Sequence, residues 1–135
     1  MASVLVDGNV LLDVLQEDPN WGDWSSDTLG RLGRSSVLVM NPIIYAEISV
    51  SFTSIEDLDS ALPATLIERA PLPYQAGFLA GKAYVAYRQR GGVRTAPLPD
   101  FFIGAHAAIA GYRLLTRDAA RYRTYFPTLD VIAPD

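Results

Sequence analysis

The feature that most limits what this chain can become is its alternation of short apolar runs with helix-spaced segments. Ser3–Val6 is rich in Val and Leu, shows no polar alternation and ends at Asp7, the pattern of a parallel strand buried on both faces. Val10, Leu11, Val14 and Leu15 then mark one apolar helix face, which Pro19 and Asn20 close. A second helix is expected over Trp21–Leu32, capped by Ser25 or Ser26, and a second strand over Val37–Met40. Asn41-Pro42 supplies an N-cap followed by proline at the first helical position, opening a helix over Ile43–Phe52. Ser54 caps a helix over Ser54–Leu62 that Pro63 ends, and Thr65–Arg69 reads as an edge strand. A long helix from Tyr74 to Gln89 stops at Gly91-Gly92, and Val93–Pro99 is a loop. Asp100–Ala110 is a helix with a Gly111 stop, followed by a strand Arg113–Thr116, a helix Asp118–Tyr125 and a last strand Leu129–Ile132. This succession predicts a three-layer α/β/α sandwich around a central, mainly parallel sheet of about four or five strands. With 135 residues, half of them hydrophobic, it fits a single domain over 1–135 that can bury a sizeable core.

Composition then removes whole classes of chemistry. Without cysteine there is no disulfide, thiolate nucleophile or thiolate zinc site. The single histidine, His106, excludes His-rich zinc sites and two-histidine mechanisms. It lies between Ala105 and Ala107 on a helix, where a packed or surface histidine is a better reading than a catalytic one. No stretch approaches the roughly 20 apolar residues of a membrane span, and MASVLVDGN lacks the basic region and cleavage site of a signal peptide, so a cytoplasmic location is expected. The net charge of −4 conceals two opposite halves. Residues 1–68 carry eleven acids against two bases, a balance of −9, whereas residues 69–135 carry nine bases against four acids, a balance of +5.

Four carboxylates stand out. In an open parallel sheet, ligands bind beyond the carboxyl ends of the strands, where Asp7 and Asp118 fall. Either is equally well read as a helix cap. Asp100, between Pro99 and the apolar Phe101-Phe102-Ile103, has the same two readings. Glu47 is harder to dismiss, because its neighbours three and four positions away are Ile43, Ile44, Val50 and Ser51. A carboxylate on such a face must meet a cation, change protonation or escape at the rim to water or an arginine. Clustered, the four form an all-oxygen set suited to Mg²⁺ or Mn²⁺, with one ion or two about 4 Å apart activating water. Asn9 can orient a carboxylate or cap the helix, and Thr116 can position Asp118 or simply end a strand. In the basic half, Arg88, Arg90, Arg94, Arg113, Arg117, Arg121 and Arg123 interleave with Tyr84, Tyr87, Tyr122 and Tyr125. Arginine suits phosphate and tyrosine stacks on unpaired bases; the competing reading is a solvated helix face with core tyrosines.

Taken in order, these segments resemble a PIN domain nearly end to end. VLVDGNVLLDVL resembles the family's opening strand and D-x-N motif, NPIIYAEIS its glutamate-bearing helix, and LPDFFIGAHAAIAGYRLLTRDAARYRTYF the third-aspartate helix leading to T-R-D. Within the family the likeness is greatest to VapC-type toxins of bacterial toxin-antitoxin pairs. The resemblance implies that Asp7, Glu47, Asp100 and Asp118 are the catalytic and metal-binding quartet, supported by Asn9 and Thr116. Arg94, Arg117 and Arg121 become candidate RNA contacts. It also implies Mg²⁺ or Mn²⁺ as cofactor, endoribonuclease activity on an RNA substrate, a homodimer, and a cognate small antitoxin whose C-terminal segment blocks the site. Gly8 departs from the pattern, since a hydroxyl residue is common there.

Two other readings compete. An aspartate-based phosphoacceptor or phosphatase would need a lysine beside the phosphate, and Lys82, the only lysine, is expected within the long helix. A non-catalytic PIN-like binding module would keep the fold alone, and four intact carboxylates speak against it.

Overall fold

The computed structural model describes residues 2–135. In chain order it contains β1 (Ser3–Val6), α1 (Gly8–Leu15), α2 (Gly22–Gly33), β2 (Val37–Met40), α3 (Pro42–Ser49), α4 (Ile55–Ala61), β3 (Glu68–Arg69), α5 (Tyr74–Gln89), α6 (Pro99–Ala110), β4 (Arg113–Leu115), α7 (Ala120–Tyr125) and β5 (Val131–Ile132). The strands form one five-stranded sheet in the order β3-β2-β1-β4-β5. Every pairing is parallel, so the expected mainly parallel sheet is wholly parallel among the described residues. Right-handed crossovers send α1–α4 over one face and α5–α7 over the other. Within each set α1 lies against α2 and α3, and α5 and α7 lie against α6, while α3 also meets α6.

Burial on both faces explains the apolar strands. Val4, Leu5 and Val6 are wholly inaccessible, as are Met40, Leu114 and Leu115. Asn41 caps α3 as the sequence predicts, its Oδ1 accepting the Ile44 N–H at 2.9 Å, and Ser54 caps α4 through the Asp57 N–H at 3.1 Å. Gly111, at φ 71°, ends α6 in the left-handed conformation that favours glycine.

Several boundaries move for local reasons. α2 begins at Gly22 rather than at a serine cap, because the Asp18 carboxylate takes the N–H groups of Asn20 and Trp21. Ser25 is buried and donates to Asp13 instead. The edge strand shrinks to Glu68–Arg69 because Leu66 and Ile67 fold back to the Pro63 carbonyl. α6 starts at Pro99 after Leu98, which places Asp100 inside the first turn, and α7 starts at Ala120, which leaves Asp118 outside any helix.

His106 belongs to the core. It is 2% exposed, and its Nδ1 lies 3.0 Å from the Asn41 amide nitrogen. Since Asn41 Oδ1 is committed to the Ile44 N–H, the amide nitrogen donates and the imidazole is neutral; burial pushes its pKa below the ordinary value. Asn41 thus serves the α3 cap and the buried ring of α6 together. Asn41→Ala is expected to destabilise the fold by about 2 kcal/mol, combining loss of a cap with an unpartnered buried nitrogen. Urea unfolding should show a lower midpoint at an unchanged slope; a midpoint equal to wild type would count against this double role.

Candidate active site

The order β3-β2-β1-β4-β5 sets a switch point between the adjacent strands β1 and β4, whose following connections leave in opposite directions. In open parallel sheets such a switch point opens a crevice at the carboxyl ends of the strands. Asp7 follows β1 at that place and is 4% exposed. It stands at the cap position of α1, yet its side chain makes no capping bond. Its carboxylate instead accepts the Thr116 hydroxyl at 2.8 Å and the Tyr122 hydroxyl at 2.9 Å, both on Oδ2. Burial, opposed by those two hydrogen bonds and assisted by the negative Asp100, pushes its pKa up to about 6.

Glu47 approaches from α3. Its Oε1 is buried without any hydrogen-bond partner. Burial first, then the charges of Asp7 and Asp100, push its pKa up to about 7. Asp100, in the first turn of α6, lies with Oδ1 at 3.4 Å from the Tyr122 hydroxyl and Oδ2 at 3.1 Å from Arg121 Nη1. Asp118 is different: it is exposed, and its backbone, not its carboxylate, bonds Thr116. The structure therefore brings Asp7, Glu47 and Asp100 into mutual electrostatic range and leaves Asp118 at the rim.

Thr116 is wholly buried and forms the hub between β1 and β4. Besides donating to Asp7, its hydroxyl accepts the Asp118 N–H at 3.2 Å and the Asn9 amide at 3.4 Å. Asn9 neither caps α1 nor touches a carboxylate. It grips the loop after β4, with Oδ1 accepting the Arg117 N–H at 3.2 Å.

Arg117, a candidate RNA contact, has its guanidinium on buried Asp13 through Nε at 2.9 Å and Nη2 at 3.1 Å and over the Trp21 ring, so the fold already engages it. Arg121 is shared with Asp100, whereas Arg94 is exposed and its side chain makes no ion pair among the described residues. Tyr122 is likewise core rather than a stacking surface, at 1% exposure. Two participants escaped the sequence reading. Asp13 lies on the buried face of α1 with Val10 and Leu11, while Val14 is exposed, but Asp13 was counted only as charge; Tyr122 was weighed for stacking or for the core, not as a partner of Asp7.

These side chains suit a divalent cation in chemistry. Every donor is an oxygen, one buried oxygen has no partner, and Asp7 and Glu47 both resist ionisation as they stand. They are not a closed cage: among the described residues no three acids or histidines are spaced to hold one ion. Asp100 is also engaged by Arg121, at 3.1 Å.

Comparison with known proteins gives the family and the fold. The family model for the PIN domain matches residues 4–127. A search of the curated proteins finds no match. Among solved structures, the VapBC2 complex of Rickettsia felis, bound to a DNA fragment from its promoter, superposes with a TM-score of 0.73 at 17% identity over 98% of this chain and 99% of the other. VapBC-1 of nontypeable Haemophilus influenzae gives 0.73 at 19%, over 97% of each chain. FitAcB of Neisseria gonorrhoeae gives 0.69 at 18%, over 96% of each.

The raised carboxyl pKa values fix a pH dependence. Between its unfolded pKa near 3.8 and its folded value of about 6, Asp7 holds more proton in the folded chain than in the unfolded one, so stability falls as pH rises through that window. Asp7 alone accounts for about 3 kcal/mol, and Glu47 extends the fall to about pH 7. In metal-free buffer, Asp7→Asn and Glu47→Gln should each unfold later than wild type at pH 8, with the gap closing by pH 4. A gap that stays constant or widens on acidification contradicts the assignment.

Proposed function

The chain belongs to the PIN domain family, and from its carboxylate site we propose that it is a metal-dependent endoribonuclease, the toxin of a toxin-antitoxin pair. The observation that carries the reading is Glu47 Oε1, a buried oxygen with no partner beside a second buried carboxylate. Burying unpaired negative charge is costly, and a site that sets an unpartnered carboxylate oxygen beside a second carboxylate that is hydrogen-bonded but not neutralised suits a cation.

Asp7, Glu47 and Asp100 are the residues to hold Mg²⁺ or Mn²⁺, with Asp118 at the rim as the fourth acid. The ion's contribution is to lower the pKa of water and to neutralise charge on the phosphate and leaving oxygen. The chain's own side chains do the rest. Thr116 and Tyr122 hold Asp7 through one oxygen, so the carboxylate is oriented before any ligand arrives. Arg121 lies at the mouth, 43% exposed, where it can meet RNA phosphate. Arg88, Arg90 and Arg94 gather around the end of α5 and the loop that leads to Asp100, and none has a carboxylate partner among the described residues. That rim supplies the positive charge a polyanion needs despite the net −4. A phosphoacceptor reading finds no support here, since Lys82 lies over the Phe78 ring on α5.

The solved structures this chain resembles are VapBC2, VapBC-1 and FitAcB, and by extension we assign this chain an antitoxin partner; a homodimeric state rests on the family likeness alone. No helix among the described residues is long and apolar enough to cross a membrane.

Cleavage of a mixed RNA pool should require Mg²⁺ or Mn²⁺, stop with chelator, and fall by about 100-fold or more in Asp7→Asn, beyond the loss typical of an outer ligand partner. Activity that survives both treatments sinks the mechanism. Co-expression with the neighbouring reading frame should yield a stable, inactive complex; two independent proteins, with cleavage intact, would remove the antitoxin assignment.

A further inference from the structure

Tyr122 is the one buried polar side chain at the site that neither the acidic quartet nor its two recognised supports account for. Its ring sits against Gly104, where an added Cβ would lie 3.1 Å from Tyr122 Cδ1 and 2.5 Å from the Phe126 ring. That close approach fixes α7 on α6 and delivers the phenol to the carboxylates. Its hydroxyl bonds Asp7 Oδ2 at 2.9 Å and lies 3.4 Å from Asp100 Oδ1, so one atom spans the end of β1 and the first turn of α6.

The Thr116 hydroxyl reaches the same Asp7 oxygen. No side-chain donor among the described residues reaches Oδ1. Two hydroxyls on one oxygen resist rotation about the Cβ–Cγ bond, and apart from the Gly8 backbone N–H that also reaches the carboxyl group, the other oxygen faces no side-chain donor among the described residues. We propose that Tyr122 is a positioning residue for divalent-cation binding, whose hydroxyl donates its single proton to Asp7 and acts with Thr116 to hold that carboxylate as a one-oxygen ligand. This deepens the nuclease reading and rests on it.

Tyrosine-specific chemistry separates this role from packing. Phenylalanine would fill the same volume between Gly104 and Phe126 while losing only the donor. Outer hydrogen-bond partners of metal ligands typically alter affinity by about 10- to 100-fold. Calorimetric titration of Mn²⁺ into the purified chain should therefore give a Kd about tenfold weaker for Tyr122→Phe. In RNA cleavage the deficit should appear at low Mn²⁺ and largely disappear at saturating Mn²⁺, with KM for RNA unchanged. A purely structural role would not produce that rescue. Equal Mn²⁺ affinities within about twofold overturn the inference while leaving the nuclease reading intact. A wild-type chain that neither binds Mn²⁺ nor cuts RNA removes both. Should Tyr122→Phe fail to fold, wild type labelled at tyrosine Cζ decides the matter: the Tyr122 resonance should shift on Mg²⁺ addition with the midpoint seen by calorimetry, and an unmoved resonance at saturating Mg²⁺ refutes the role.

Discussion

Much of this molecule depends on keeping the Asp7 carboxylate out of water. A carboxylate at 4% exposure loses most of its hydration, and only charge-assisted hydrogen bonds or a cation can replace it. The all-parallel sheet creates the place by letting β1 and β4 end side by side, with Asp7 N–H bonded to the Leu115 carbonyl at 2.9 Å. Thr116 and Tyr122 then supply the two donors, one from the end of β4 and one from α7. Neither donor neutralises charge, so burial still pushes the Asp7 carboxyl up to about 6. Glu47 and Asp100 add repulsion to a site already short of compensation. The apolar strands Val4–Val6, Met40 and Leu114–Leu115, buried on both faces, provide the stability that such a site draws down.

The opposite charges of the two halves of the chain are partly spent inside the fold. Arg117 crosses to Asp13 and Arg69 to Asp59, pairing the basic half with the acidic one. Arg117–Asp13 matters most, because Asp13 is 3% exposed and the pair is bidentate; its removal would strand a buried charge beside α2. Arg113–Asp130 is largely exposed and contributes little. Only after these pairs are formed does the cationic surface emerge, and it lies in the 88–94 segment and at Arg121. Charge counted along a sequence overstates what remains available to an external polyanion.

The sequence disclosed the layer architecture well, because strand and helix periods differ and a wholly buried strand has no polar alternation to confuse them. Asn41 and Ser54 were legible as caps for the same local reason. Boundaries were not, where a side chain several residues away took the backbone groups: Asp18 moved the start of α2, and the Pro63 carbonyl shortened β3. At the site, Glu47 could be singled out from helical spacing alone, whereas Tyr122 and Asp13 could not. Their roles come from partners 115 and 104 positions away, contacts that no local pattern encodes. Arg117 shows the converse, a residue whose type suits phosphate but whose partner is buried in α1.

Gly8 connects the departure in sequence with the anomaly in structure. A Cβ at position 8 would meet Glu47 Oε1 at 3.0 Å and Glu47 Cβ at 3.2 Å, tight but not prohibitive for a flexible side chain. The family resemblance places a hydroxyl residue there, and the oxygen nearest that missing side chain is the buried one without a partner. Glycine lets α3 bring Glu47 close over the start of α1. With its Oε1 buried and unpartnered, Glu47 has a proton or a cation as its remaining sources of compensation, which ties the charge state of this site to what it binds.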